Sequence, residues 1–547
     1  MSGALRTPVL IVGGGLSGLA TAVFLSWQGV DCLLVERHEH HSSHPRARGI
    51  HPRAMELMRA VGLEQTIRTA PSATELAGNS GVISAQSLAG PEIGALREEY
   101  VMDVSADLSG LSPTTWCLCH QDEFEPILRA RAEELGADIR FGTRLVSFTQ
   151  DADGVTATLE DASGATSTVR ADYLVGADGP GSAVRRALKI PFDGVGAIGH
   201  FLNIHFRADL RAQLGDRKFV MCYTFNRDVK GALMPLDNAR RWLLHAGFDP
   251  RAENPVDLSV ERCTRLVRAA AGVSDVDVEI IGVLPWEAAG RVAETFRAGR
   301  TFLVGDAAHV MPPSGAFGSN TGLSDAYDLA WKLAFVHKGL AGPELLATYD
   351  AERRPVAAAT VEQAVLRSKD RPRLRSEDPA PPNPAIVPDT AVWFGWRYFS
   401  SAVVAEAGDA VWAPNPGGLP GTRAPHVAVR VDGTESSTVD LFGRGFVLLA
   451  AEEGTGWAAA ARRVGAELSV PLRGYRVGTG DDPDLHDIKT TFAESFGITA
   501  TGAVLVRPDG VVAWRSIAGG GPDDAAPDEV LATALRSVLH RPSLSIR

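Results

Sequence analysis

Three glycines constrain how this chain can begin to fold. Gly13-x-Gly15-x-x-Gly18 follows a short apolar run, Val9 to Val12, and opens a helix-forming stretch from about Ser17 to Gln28. A second apolar run, Cys32 to Glu36, ends in an acid. Strand, glycine turn, helix and strand make a βαβ unit. The first glycine permits the tight turn, the second lets a pyrophosphate approach the backbone, and the third allows close helix–strand packing. Unpaired N–H groups at the helix start then face the phosphates. Glu36 stands 18 residues beyond Gly18, placed to accept hydrogen bonds from a pair of ribose hydroxyls. The fingerprint specifies a dinucleotide and is silent about which one.

Two later elements narrow the choice. Asp178-Gly179-x-x-Ser182-x-Val184-Arg185 follows the strand Tyr173 to Val175, and Asp178 can either hold a neighbouring helix or serve a cofactor pyrophosphate. Gly305-Asp306-Ala307-Ala308-His309 follows another apolar strand, and Asp306 can be a simple strand end or can bind a ribityl hydroxyl. A site closed by chain segments almost three hundred residues apart suits an elongated, permanently held cofactor such as FAD. Next comes Pro312-Pro313-Ser314-Gly315-Ala316-Phe317-Gly318-Ser319-Asn320-Thr321-Gly322, a proline-stiffened loop leading into a helix. It can aim backbone N–H groups at the delocalised negative charge of a reduced flavin.

The 547 residues exceed one ordinary domain. Helical spacing runs through 54 to 69 and again from Gln121 to Gly136. Strands are expected at 140–149, 155–159 and 168–175. Residues 198 to 285 change to short alternating runs, such as 201–206 and 241–245, which predict a mainly antiparallel sheet. An α/β pattern returns at 290–365, with a long apolar helix over 323–337. The Pro-, Arg- and acid-rich tract at 370–390 reads as an exposed linker. Beyond about 415, Pro508-Asp509-Gly510 between two strands is a hairpin signal in a small α/β domain.

A net charge of -12 argues against nucleic acid or anionic membrane as main partner. Residues 1–8 lack a signal-peptide pattern, and the chain reads as cytoplasmic. The five cysteines, Cys32, Cys117, Cys119, Cys222 and Cys263, have neither zinc nor disulfide-framework spacing. The run His38-x-His40-His41-x-x-His44 lies in an expected surface loop without helical spacing and is not read as a metal site.

Taken together, the motifs resemble the class A FAD-dependent aromatic monooxygenases of the para-hydroxybenzoate hydroxylase fold. Within that family the chain is similar to the subgroup acting on aromatic polyketides, which carries a carboxy-terminal thioredoxin-like domain. The resemblance rests on the glycine fingerprint, Val35-Glu36-Arg37, Pro45-Arg46-Ala47, Gln121, Asp178-Gly179, Arg291-Val292-Ala293, the Gly305–His309 element and Asn320-Thr321-Gly322. It continues through Asp325-Ala326, Leu329–Leu333, Glu352-Arg353-Arg354-Pro355 and Asp440-Leu441-Phe442-Gly443.

The fold it implies is α/β. A Rossmann-like FAD-binding domain occupies 1–75, 111–190 and 286–368. An antiparallel β-sheet substrate domain is inserted at 76–110 and 191–285. A linker spans 369–414, and a thioredoxin-like domain without cysteines, hence without disulfide exchange, spans 415–547 with a structural or oligomerisation role. The implied cofactor contacts are Gly13, Gly15, Ser17, Gly18, Glu36, Arg37, Arg46, Gln121, Asp178, Asp306, Pro313, Gly318, Ser319 and Asn320. Substrate contacts are expected from Phe201, His205, Met221, Tyr223, Phe225, Trp286 and Phe317. Many relatives have Gly-Gly-Gln-Gly where this chain has Gly315-Ala316-Phe317-Gly318, so Phe317 is expected to give the flavin a more apolar wall.

The implied chemistry is aromatic hydroxylation. NADPH reduces FAD without a Rossmann domain of its own. Dioxygen then forms a flavin C4a-hydroperoxide, and an electron-rich ring carbon attacks its distal oxygen. No protein nucleophile is required. The same fold also accommodates Baeyer–Villiger insertion or oxidative rearrangement on a natural product, or a non-catalytic FAD protein that sequesters an intermediate. A homodimer is compatible with this reading.

Overall fold

The computed structural model describes residues 5–96, 107–252, 259–371, 381, 383–406, 408, 410–413, 417–480, 483–519 and 525–541. One sheet has a parallel core in the order Thr301–Leu303, Thr166–Gly176, Leu5–Val12, Cys32–Glu36 and Asp138–Phe141. The antiparallel strands Val155–Asp161 and Thr143–Gln150 extend from Thr166–Gly176. Val9 to Val12 are buried, as a central parallel strand requires. Helix Leu16–Trp27 packs between this sheet and the long helix Phe317–His337, which explains why nine of its 12 residues are buried and all of those but Thr21 are non-polar. The helical spacing of 54–69 is interrupted: helix Pro52–Ala60 stops at Gly62, whose φ of 77° turns the chain into a separate helix, Glu64–Arg68.

A second sheet runs His309–Val310, Glu279–Ala293, Phe192–Arg207, Arg241–Gly247, Lys230–Pro235, Met221–Phe225, Val82–Ala85 and Glu92–Leu96. It is antiparallel except where Met221–Phe225 pairs with Val82–Ala85. Side chains alternate across it. Leu202, Ile204, Phe206, Trp242 and Leu244 form a core with Cys263 and Val267 of helix Val260–Ala271. Odd-numbered residues of the strand through 201–205 face the opposite way, toward the first sheet's loops.

In the carboxy-terminal region, Phe446–Ala450, helix Thr455–Leu468 and Leu472–Gly478 make a parallel βαβ unit. Antiparallel Ala503–Val506 and Val512–Ser516 follow, then helix Pro527–Val538, completing a thioredoxin-like order. The unit does not hang from a linker. Trp331, Phe335 and Leu345 share one hydrophobic cluster with Phe446, Trp457, Leu505 and Leu535. Of the expected 369–414 linker, residues 372–380, 382, 407, 409 and 414 lie outside the described residues. Within that span the chain forms helix Asp389–Phe394, and Trp393, Phe394, Trp396 and Tyr398 are buried rather than exposed. The long helix Phe317–His337 is buried along most of its length, so it needs cover on both faces.

A buried ionic network crosses the same junction. Lys332 Nζ donates to Asp328 at 2.8 Å and to Glu352 at 2.6 Å. Arg507 donates to Glu352 at 2.6 and 2.9 Å and pairs with Asp509. Arg353 reaches Asp325 at 2.8 Å and the Tyr398 hydroxyl at 2.8 Å. Burial, with Glu352 and Asp509 adjacent, raises the Asp328 pKa well above its ordinary value. The converging oxygens of Asp328, Glu352 and Asp509 are already occupied by Lys332 and Arg507.

Where the two sheets meet, Arg48 is buried and donates to Pro235 O at 2.7 Å and Val220 O at 2.8 Å. Around it sit His44, His120, His205 and His245. Unlike the exposed His38 and His40, His44 is buried against the His205 ring, with centroids 5.7 Å apart. Desolvation pushes His120 down to about 2 and His205 to about 4, and at the neighbouring loop it pushes His51 to about 3.

Two outcomes follow from these buried charges and rings. Arg507→Met leaves Glu352 and Asp509 without their guanidinium, and urea denaturation should register a loss of about 3–5 kcal/mol; a loss under about 1 kcal/mol contradicts the network's importance. Each histidine with a depressed pKa binds its proton in the unfolded chain first, so stability falls as pH drops below about 6.5. His245, pushed down to about 3 by burial, adds a fourth such histidine, while Glu125, raised to about 7 by burial, and Asp328, also raised by burial, work in the opposite sense and offset two of the four. Denaturation between pH 7 and 5 should therefore show a net loss of at least about 1.4 kcal/mol per pH unit. Constant or rising stability contradicts neutral buried histidines.

Candidate functional site

The glycine loop can be tested position by position. Gly13 has φ 113°, and a Cβ there would sit 2.3 Å from Ala177 O. At Gly18 a Cβ would fall 1.9 Å from Gly13 O. At Gly15 the nearest atom would be Glu125 Oε1, at 3.8 Å, so the middle glycine faces open space. Gly15 also caps helix Leu16–Trp27 without any side-chain hydrogen bond, leaving the helix start available to an anion. This geometry fits a pyrophosphate.

The flanking acids are held by backbone. Glu36 accepts from Gly14 N at 2.7 Å and His38 N at 2.9 Å, which fixes its half-buried carboxylate at the strand end. Arg37 is exposed and donates to His38 Nε2 at 3.2 Å. Asp178 accepts from Ser182 Oγ at 2.5 Å, Ala183 N at 2.6 Å and Val184 N at 3.1 Å. Both oxygens thus cap helix Ala183–Ala187, which makes Asp178 a positioning residue for that turn. The capped turn holds Arg185, whose Nη1 donates to Ala307 O at 3.1 Å. That bond joins the Asp178 element to the Gly305 element.

Ser17 lies where three elements touch. A Cβ on Gly305 would meet its Oγ at 2.2 Å, and one on Gly322 at 2.3 Å. Helix Leu16–Trp27, the Gly305–Ala307 turn and helix Phe317–His337 can close on one another only because both positions are glycine. Asp306 projects from that turn into the cleft. Surrounding protein raises its pKa by desolvation, opposed by His309 and Arg46, while its side chain keeps solvent access. Behind the turn, buried Asp325 accepts from Gly305 N at 3.1 Å, His309 Nε2 at 2.6 Å and Arg353 Nε at 2.8 Å. Desolvation opposes its ionisation, but His309 and Arg353 outweigh it and lower its pKa.

Across the cleft, Gln121 Oε1 accepts from Ala47 N at 3.2 Å, and its Nε2 donates to Glu125 at 2.6 Å. Exposed Arg46 is carried on the segment so anchored, and its charge acts on both Glu125 and Asp306. Glu125 is buried beneath Gly15, and sequence reasoning did not single it out. Its position one helical turn after Gln121 is the signal that could have found it.

The 312–322 loop departs from expectation at two residues. Phe317 is only 1% exposed and packs with Ala364, Val392 and Trp393, while Arg367 lies 4.8 Å over its ring. It does not wall the flavin cleft. Gly315 at φ 92° and Ala316 at φ 54° turn the chain left-handed, which folds the ring back beside Gly315. Asn320 is likewise buried: its Oδ1 accepts from His51 N at 2.9 Å, and its Nδ2 donates to Gly49 O and Ala316 O. It ties the loop to residues 49–51 and is not free to bind a ligand. His51 is neutral and donates through Nε2 to Gly315 O at 3.0 Å. Pro313 is exposed, and Gly318 and Ser319 are half-buried at the helix start.

Opposite this loop, the second sheet presents an aromatic face. Phe201 and Trp286 stack at 4.9 Å, and Tyr223 and Phe225 stack at 5.9 Å. Met221 and Tyr223 pack on the same cluster as Ala316, with Trp116 at its centre, so these two expected substrate residues and the loop border the same space. His205 Nε2 is buried without a hydrogen-bond partner. Arg291, by contrast, is taken up by Glu287 at 2.6 Å.

Comparison with known proteins agrees with this geometry. Residues 6–364 match the family model of the FAD binding domain, and 417–542 match that of the aromatic-ring hydroxylase C-terminal region. The chain is 44% identical to 4-methyl-5-nitrocatechol 5-monooxygenase from a Burkholderia species, covering 98% of each. It is also 44% identical to tetracenomycin A2 monooxygenase-dioxygenase of Streptomyces glaucescens, again covering 98% of each. A crystal structure of aklavinone-11 hydroxylase with FAD and aklavinone superposes with a TM-score of 0.90 at 41% identity, covering 98% of this chain and 99% of that one. Among the described residues, no helix is long and apolar enough to cross a membrane. An open glycine loop, an aspartate in the cleft and an aromatic sheet face, joined to matches over both regions, place the chain in the family of FAD-dependent aromatic-ring hydroxylases, as a flavoprotein monooxygenase.

Proposed function

We propose that this monooxygenase hydroxylates an electron-rich ring of a polycyclic, polyketide-type aromatic substrate, with NADPH as electron donor. The observation that carries the proposal is the breadth of the aromatic face. Two stacked pairs, Phe201–Trp286 and Tyr223–Phe225, line it, and the cofactor loop lies opposite. Such a wall suits a large planar ligand better than a single ring.

Gly13, Gly15, Gly18, Glu36, Arg46 and Asp306 would hold FAD, with Gly318 and Ser319 offering backbone at the far end. Bound FAD supplies the electron transfer and the activation of dioxygen. The protein's own work is binding and shielding. Met221, Tyr223, Phe201 and Trp286 orient the ring system and keep water from the reacting edge. His205, held neutral by burial, lies beneath this face against the His44 ring and adds no charge to it. Arg371, 5.8 Å over the Tyr223 ring, brings positive charge to the same face and favours an ionised phenol.

The test is NADPH consumption with a panel of polycyclic phenols and, because a relative of equal identity is named for one, a nitrocatechol. Peroxide is quantified alongside, and product NMR separates a phenol from a lactone. Polycyclic phenols should accelerate NADPH oxidation with little peroxide, and Trp286→Ala should raise their KM about tenfold, near 1.4 kcal/mol, with FAD content unchanged. Acceleration by the nitrocatechol alone, or a lactone product, overturns the proposal.

A further inference from the structure

A cleft of about 870 Å³ opens at the opposite end of helix Leu16–Trp27 from the glycine loop. The 12-residue helix separates the two by about 18 Å. One wall belongs to the first unit, with Trp27, Glu56 and Arg59. The other is built by the 439–445 turn, helix Thr455–Leu468 and the start of strand Leu472–Gly478. The cleft is therefore no part of the flavin site, and its volume falls within the range of small-molecule pockets.

The charges on these walls do not balance. Arg59 is saturated by Asp440, at 2.6 and 3.1 Å, and by Glu64 at 3.0 Å. Glu56 is saturated by Arg53 at 2.9 Å and by Arg423. Both acids on the lining are thus already neutralised. Three more arginines, Arg444, Arg462 and Arg473, line the same cleft, and all are exposed. Among the described residues none of the three has a carboxylate partner. Arg473 donates to Leu441 O at 2.6 Å, and Arg444 lies 5.3 Å over the Trp27 ring. Gly443 makes that perch possible: at φ 147°, a Cβ there would strike Trp27 at 2.2 Å.

Three arginines without a carboxylate partner line one concave wall of a chain whose net charge is -12. Guanidinium forks match phosphate oxygens, and an arginine laid on an indole is already ordered before a ligand arrives. The remaining wall, with Leu472 and the Trp27 edge, is apolar enough for an organic group. We propose that this cleft binds a phosphorylated ligand of nucleotide size, with its phosphates between Arg444, Arg462 and Arg473 and its ring against the apolar side. Such a ligand touches both units and stabilises their docking by mass action.

Calorimetric titration of the FAD-loaded full-length protein with ADP, 2′,5′-ADP and inorganic pyrophosphate tests this. At least one nucleotide should bind saturably, one per chain, and Arg462→Gln or Arg473→Gln should each weaken it at least about fivefold while FAD content stays constant. Nucleotide binding should exceed pyrophosphate binding. The proposal is overturned by no saturable binding up to about 5 mM, or by nucleotide binding that both substitutions leave unchanged. Equal affinity for pyrophosphate overturns the organic part of the site.

Discussion

Asp325 is fully buried, and three groups converge on its carboxylate. Gly305 N and His309 Nε2 share Oδ2, while Arg353 takes Oδ1. The first two contacts fix the turn from which Asp306 enters the cofactor cleft. The third leads elsewhere, because Arg353 also holds Tyr398 and neighbours Glu352, the partner of Arg507 and Lys332. Through one ionised side chain, the cofactor turn, the long helix and the carboxy-terminal unit become mechanically dependent on each other. Charged hydrogen bonds in a dry interior are strong when complete and costly when broken.

That arrangement gives the thioredoxin-like unit a physical role. It has no cysteine with which to do redox chemistry, yet Arg507 and Asp509 complete a network that the long helix cannot satisfy alone. Trp331 and Phe335 make the same point in apolar terms, since they would face water without Phe446 and Trp457. The unit covers the back of the helix whose front closes on Ser17 and Gly305. It acts as a second wall for the flavin-bearing core.

Much of the cofactor site was legible in the sequence because glycine requirements are local. Gly13, Gly18, Gly305 and Gly322 each permit a close approach that any Cβ would block, and motif spacing reports this directly. The direction of Phe317 was not legible. It depends on a left-handed Ala316 and on a hollow made by Ala364, Val392 and Trp393, dozens of residues later. Asp509 reads as an ordinary hairpin residue, and Gly510 does turn the chain there at φ 78°. Its burial beside Arg507 follows from docking, which no local pattern encodes. Asp178 admitted two readings, and hydrogen bonds to Ser182, Ala183 and Val184 decide for the cap. The aromatic strand residues came from the family resemblance, which puts the substrate on the middle sheet, while the buried His44 and His120 beside them come from loops with no periodicity.

The central claim is that Asp325 holds the cofactor turn in its binding conformation. Asp325→Asn tests it directly, because the amide keeps the volume but places a donor against at least one of the existing donors. The measurement is the FAD dissociation constant, by flavin fluorescence, on protein shown by circular dichroism to remain folded. A rise of at least about tenfold, near 1.4 kcal/mol, is predicted. A folded variant that binds FAD as tightly as the parent would contradict the account.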